Sequence, residues 1–295
     1  MDGWEEWSTN NNGVVDTAFP CLQELRIERC PNLVRVSLEP LPSLRVLTIR
    51  GCGHEVLRSL VRLASSVTKL NINDIAGLND QVWGGVIEYL GEVKELRMSG
   101  CNEIKCLWES EAEASKVLVN LSKLDVSSCS KLVSLGKKKE DNCGSNLTSL
   151  TSLSIRNCHT LKHCSSPNSL KSLSIVNCNK LLEKKKKKKE LEKKLEGGHG
   201  LINSSLLLLE SLRLHNWPKL KSITQLSSFN HLRNLMIKDC PNVESFPDHE
   251  IDCKISLFAE VMLLSETKNR SAVVLVWGRW CLLYLVLLKV ESCIG

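Results

Sequence analysis

Cysteine and histidine are the side chains of this sequence with the most obvious chemical potential: it holds 14 cysteines and 7 histidines. Cys158, His159, His163 and Cys164 form C-H-x-x-x-H-C, a set of ligand types that suits zinc. Cys158 also falls on a recurring pattern, described below, in which the cysteine points inward. His159 and His163 then lie on a turn and on the outer side, so no metal site is expected. Cys101 and Cys106 divide in the same way, one a core corner and one a loop residue. His54-Glu55 lacks the second histidine of a zinc-protease helix, and His199, His231 and His249 are scattered over turns. No G-x-S-x-G elbow and no G-x-x-x-x-G-K-[ST] phosphate loop occurs. The residues therefore suggest neither an enzyme nor a bound cofactor, and no small-molecule substrate.

Composition narrows the class. The chain has 295 residues, 42% hydrophobic and 24% charged, close to the globular average. That argues against a wholly disordered chain and against a polytopic membrane protein. Aromatics make up only 4%, so the core must be aliphatic. The formal charge is +6, and the run Lys184–Lys189 accounts for much of the excess, so a nucleic-acid-binding surface is not expected. The opening MDGWEEWSTNNNG has no basic region followed by an apolar one. A reducing, cytoplasmic setting with free thiols is expected, with nuclear import through the lysine run as the alternative.

The elements that must position these residues come from an internal repeat. The pattern L-x-x-L-x-I-x-x-C-x-x-L begins at Leu22, Leu44, Val67, Val93, Leu121, Leu150, Leu170, Leu209 and Leu232. Its fourth position is Cys30, Cys52, Cys101, Cys129, Cys158, Cys178 or Cys240 in seven copies, and Ile75 or Trp217 in the other two. The closing aliphatic fails in the second copy, where Glu55 stands beside Val56 and Leu57. Alternation of period two inside each copy predicts a short strand with one face buried. A period of 20 to 39 residues predicts stacked units that share one core. The expected fold is an α/β solenoid, a leucine-rich-repeat horseshoe of about nine repeats with a parallel sheet on its concave face. Cysteine is small and has a weak donor, which suits a dry corner. One helix is expected on the convex side, Asp80–Leu90, with Val82, Trp83, Val86, Ile87 and Leu90 on one face.

The expected layout is a lead-in segment 1–18, a repeat domain 19–250 with a lysine-rich insertion 183–200, and a non-repeat apolar tail 251–295. The stretch Ser271–Val290 is nearly long enough to span a bilayer. Arg279 near its middle costs about 2.5–3.5 kcal/mol on insertion scales, so a capping segment is preferred to an anchor, and a membrane is not an expected partner.

The runs FPCLQELRIERCPNLVRV, LPSLRVLTIRGC, NLSKLDVSSCSKLVSL and LTSLTSLSIRNCHTLKHC, with W-E-E-W near the start, carry a resemblance. Over Met1–Asp248 the chain resembles the C-terminal repeat region of plant intracellular nucleotide-binding leucine-rich-repeat disease-resistance proteins of the coiled-coil class. The resemblance implies protein recognition in defence against pathogens. The implied partners are a pathogen effector, a guarded host protein or upstream receptor domains. The family's nucleotide switch is not implied, because the phosphate loop is missing from these residues. An F-box-type ubiquitin-ligase adaptor is the alternative, although its C-x-x-L-T-D-x-G-L consensus is not matched by C-P-N-L; a free-standing repeat scaffold is another.

The candidate binding residues lie between the buried aliphatics of each strand. One expected row runs Arg26, Thr48, Asn71, Arg97, Asp125, Ser154, Ser174, Arg213 and Met236. The next runs Glu28, Arg50, Asn73, Ser99, Ser127, Arg156, Val176, His215 and Lys238. From these, Arg26, Glu28, Arg50, Asn73, Arg97, Asp125, Arg156, Arg213, His215 and Lys238 are the expected protein contacts, because arginine's fork pairs with carboxylates.

Overall fold

A computed structural model describes residues 3–8, 19–109, 111–136, 147–164, 167–182, 208–218, 220 and 231–241, and the short strands 260–264, 273–274 and 286–287. Much of the lysine-rich insertion's surroundings and most of 251–295 therefore lie outside the described residues, and so does the whole of 183–200.

Each copy of the pattern forms one five-residue strand. In chain order the early elements are β1 (Glu6–Ser8), β2 (Glu24–Glu28), β3 (Arg35–Ser37), β4 (Val46–Arg50), α1 (His54–Leu63), β5 (Lys69–Asn73), α2 (Asp80–Ile87) and β6 (Glu95–Ser99). Then come β7 (Cys106–Trp108), α3 (Glu111–Val117), β8 (Lys123–Ser127), β9 (Ser134–Gly136), β10 (Ser152–Arg156) and β11 (Ser172–Val176). A 3-10 turn (Asn179–Leu182) follows, and then β12 (Ser211–His215), β13 (Asn234–Lys238), β14 (Glu260–Leu264), β15 (Val273–Val274) and β16 (Val286–Leu287).

Ten strands form one sheet in the order β14-β13-β12-β11-β10-β8-β6-β5-β4-β2, with every pair parallel. This is one strand more than the nine copies of the pattern. The tenth, β14, lies in the stretch 251–295 and keeps the common register, with Leu235 opposite Val261 and Ile237 opposite Leu263. Short parallel pairs form behind the main sheet, β1 with β3 and β7 with β9.

The core is the aliphatic ridge that the alternation predicts. Leu47, Ile49, Leu70, Ile72, Leu124, Val126, Leu153, Ile155, Leu173 and Ile175 are all buried. Burying one such side chain contributes about 1.5–3 kcal/mol, and only stacking against the next repeat achieves it. The convex layer has three helices among the described residues where one was expected. The failed closing position at Glu55 has its reason here: α1 begins at His54 and buries Val56, Leu57, Leu60 and Val61 instead. Helix α2 is capped by Asn79, whose side chain accepts a hydrogen bond from the Val82 amide at 3.0 Å, and buries Trp83, Val86 and Ile87. Its regular part ends at Ile87, three residues before the expected end; Leu90 is buried in the turn that follows.

Candidate functional site

The corners fix how the strands present their side chains. All seven corner cysteines are buried, and each thiol donates to the carbonyl of the residue two before it. For Cys30, Cys52, Cys101, Cys129, Cys158, Cys178 and Cys240 the distances run from 3.3 to 3.5 Å. Burial pushes the Cys101 thiol up to about 11 and the Cys178 thiol up to about 12. Cys129 is raised further by the neighbouring Cys158 thiol together with burial. Such thiols are structural and unreactive. Trp217, one of the two non-cysteine corners, donates from Nε1 to Ile175 O at 3.2 Å. Cys52 makes the equivalent contact back to Ile27 O, and Cys178 to Ile155 O, both at 3.9 Å. The indole thus performs the cysteine's inter-repeat task.

A second corner feature escaped the sequence reading. The residue just before each corner has a left-handed backbone: Arg29, Gly51, Asp74, Gly100, Ser128, Asn157, Asn177, Asn216 and Asp239, with φ between 53° and 63°. The signal was present as a column rich in Gly, Asn and Asp, the residues that tolerate this region. The amide of this residue extends the ladder beyond the strand, for example Gly51 N to Asn73 O at 2.9 Å and Asn157 N to Val176 O at 2.9 Å. Its asparagine side chains also chain together, Asn216 to Asn177 at 3.1 Å and Asn177 to Asn157 at 3.0 Å.

These corners hold the expected rows in strict register across the sheet. Arg26, Thr48, Asn71, Arg97, Asp125, Ser154, Ser174, Arg213 and Met236 stand opposite one another in sequence. So do Glu28, Arg50, Asn73, Ser99, Ser127, Arg156, Val176, His215 and Lys238. Six of the ten candidate residues, Glu28, Arg50, Asn73, Arg97, Asp125 and Arg156, line one hollow of about 330 Å³ on the open face of β2 to β10. The others do not join it. Arg26 folds back on Glu24 at the edge, with Nη2 2.6 Å from Oε1. Arg213 and Lys238 lie on β12 and β13, and His215 Nε2 sits 2.8 Å from Asp239 Oδ2.

The charges of the hollow are unequal in their commitments. Arg156 Nη2 lies 2.7 Å from Asp125 Oδ2, a charge-assisted pair. Arg50 and Arg97 have no side-chain hydrogen bond or ion pair within 4 Å among the described residues. Asn71 donates from Nδ2 to Thr48 Oγ1 at 3.0 Å, which leaves its Oδ1 buried without a partner; Asp125 Oδ1 is in the same condition. A third row, not singled out from sequence, carries Lys69, Glu95 and Lys123. The hydrogen bond from Lys123 Nζ, at 2.8 Å, holds the Glu95 carboxyl below its ordinary range, helped by the charges of Lys123, Lys69 and Arg97.

Cys158, of the C-H-x-x-x-H-C run, is committed to its corner bond with Arg156 O, and His159 is exposed. No helix among the described residues is long and apolar enough to cross a membrane.

Repeats of one strand each, a shared aliphatic ridge and a dry cysteine corner define a leucine-rich-repeat protein. The comparisons refine the class. Residues 4–159 match the profile of the leucine-rich repeats described as plant disease resistance protein RPS2-like, and the chain belongs to that family. A chain described as a disease resistance protein, At3g14460, of Arabidopsis thaliana is 44% identical over 52 residues, covering 18% of this chain and 4% of that protein. A solved structure titled as the TLR13–ssRNA13 complex aligns over 83% of this chain and 39% of that one, at 16% identity and a TM-score of 0.46. The chain thus spans well under half the length of these relatives.

Proposed function

We propose that this chain is a protein-recognition module of plant defence, and that it binds its partner on the open face of the ten-stranded sheet. The observation that carries this reading is the register: two polar rows cross nine strands on a surface where the described elements pack nothing. A continuous concave sheet of this kind is the largest binding surface that the architecture offers. Family membership supports the setting, with a pathogen effector, a guarded host protein or another part of a receptor as the partner class. The role is binding and not catalysis, in the cytoplasm, and no nucleotide switch resides in these residues.

The test is site-specific photo-crosslinking in plant cells challenged with a pathogen. A photoreactive residue at Thr48, Ser154 or Ser174 should yield a discrete protein adduct. The same residue at Arg58 or Lys116, on the helical side, should not. Equal adducts from both sides, or none from the sheet side, would refute the reading.

A further inference from the structure

We propose that the hollow across β2 to β10 takes an acidic peptide segment of the partner, with a side-chain carboxylate held between Arg50 and Arg97. This rests on the proposed recognition role and names the chemistry of what is recognised. Arg50 and Arg97 stand two strands and two residues apart, about 12 Å between Cα atoms at ordinary sheet spacings, so both forks can turn toward one group. Arg156 is already occupied by Asp125, so the free positive charge of the hollow belongs to these two arginines. An exposed arginine pair of this kind has its best complement in a planar carboxylate.

The second observation concerns acceptors. Asn71 Oδ1 and Asp125 Oδ1 are buried and without a partner, and both side chains line the hollow. An unmet acceptor behind the wall of the hollow is unfavourable, and a small side-chain rotation would let a ligand with N–H groups satisfy it. The occupant must therefore offer an anion to the arginines and donors to the two oxygens beside them. An extended peptide does both, through an Asp or Glu side chain and its main-chain amides. A polyphosphate chain does not, because it has no donor for those oxygens. The lining also has no aromatic side chain on which a base could stack.

The experiment is selection of a displayed random octapeptide library on the full chain, beside the Arg50→Gln/Arg97→Gln double variant and an Arg58→Gln control on α1. Enrichment of Asp and Glu by several-fold on the parent chain and on the control, lost on the double variant, is the expected result. Both arginines are exposed, so the double variant should fold; an unchanged circular dichroism spectrum checks this. No acidic enrichment, enrichment that survives the double substitution, or arginine-dependent binding of a single-stranded RNA in place of peptide would each overturn the proposal. The photo-crosslinking result separates the two levels. Adducts from the sheet face that persist in the double variant would leave recognition standing and remove this site; their absence from every sheet position would remove both.

Discussion

The same substitution, glycine to alanine, should have opposite signs at Gly100 and Gly84. Gly100 is the left-handed residue before corner Cys101, with φ of 63°. A Cβ there would meet Asp74 N at 3.6 Å and Asn73 Oδ1 at 3.7 Å, ordinary contacts. Steric collision is therefore not the cost; the backbone region is, at about 1–2 kcal/mol for an L-residue. Gly84 lies inside α2, on its exposed side, and a Cβ there meets nothing within 4 Å. Alanine at that position gains about 0.8–1 kcal/mol of helix propensity. The two variants should differ by about 2–3 kcal/mol, roughly a 20- to 160-fold difference in an unfolding equilibrium. Circular dichroism at the helix band in a urea titration reads the change in stability of each variant against the parent chain. Gly100→Ala should lower the midpoint and Gly84→Ala should raise it. A neutral or stabilising Gly100→Ala would refute the claim that the left-handed corner, and not packing, selects the residue.

Trp217→Phe should destabilise the chain by at least about 1–3 kcal/mol, because Ile175 O loses its buried donor and the smaller ring leaves a gap in the core; thermal melting checks this. Iodoacetamide at pH 8 should label exposed Cys21 readily and leave the buried corner cysteines Cys101 and Cys178 intact until denaturant is added, as read by peptide mass spectrometry. The Glu95 carboxyl is depressed in the folded state, so its contribution is present above the unfolded pKa and is lost as pH falls through the lower folded value. Lys123→Met should raise that folded value toward the ordinary carboxylate range and move the loss to higher pH, visible in a carboxylate NMR titration. The pair is partly exposed, so its effect on overall stability should be small.

Much of the fold could be read from the sequence because its causes are local. An L-x-L or L-x-I triplet declares a strand and its buried face without knowledge of any neighbour, and nine copies of one triplet declare the stacking. The two polar rows followed from the same alternation, as did the inward aim of Cys30 through Cys240. The convex helices were less legible. Helix α1 hides in a copy whose closing aliphatic fails, and α3, with the sequence EAEASKV, has only two alanines and one valine to give it a period. The left-handed column was visible as a composition, yet its meaning depends on the turn geometry that each corner imposes.

What the sequence determined by itself was therefore which side chains share a face and in what order. Only the tertiary structure decided which of those charges are spent on one another. Asp125 lies 31 residues from Arg156, and Lys123 lies 28 from Glu95. These pairings arise because parallel stacking sets residues one repeat apart side by side, and side-chain rotamers then choose among the neighbours within reach. The alternation within a strand carries no information about that choice. Arg26 and Arg156 read as equivalent to Arg50 and Arg97 in the sequence; packing gives the first two a carboxylate each and leaves the other two free beside unmet acceptors.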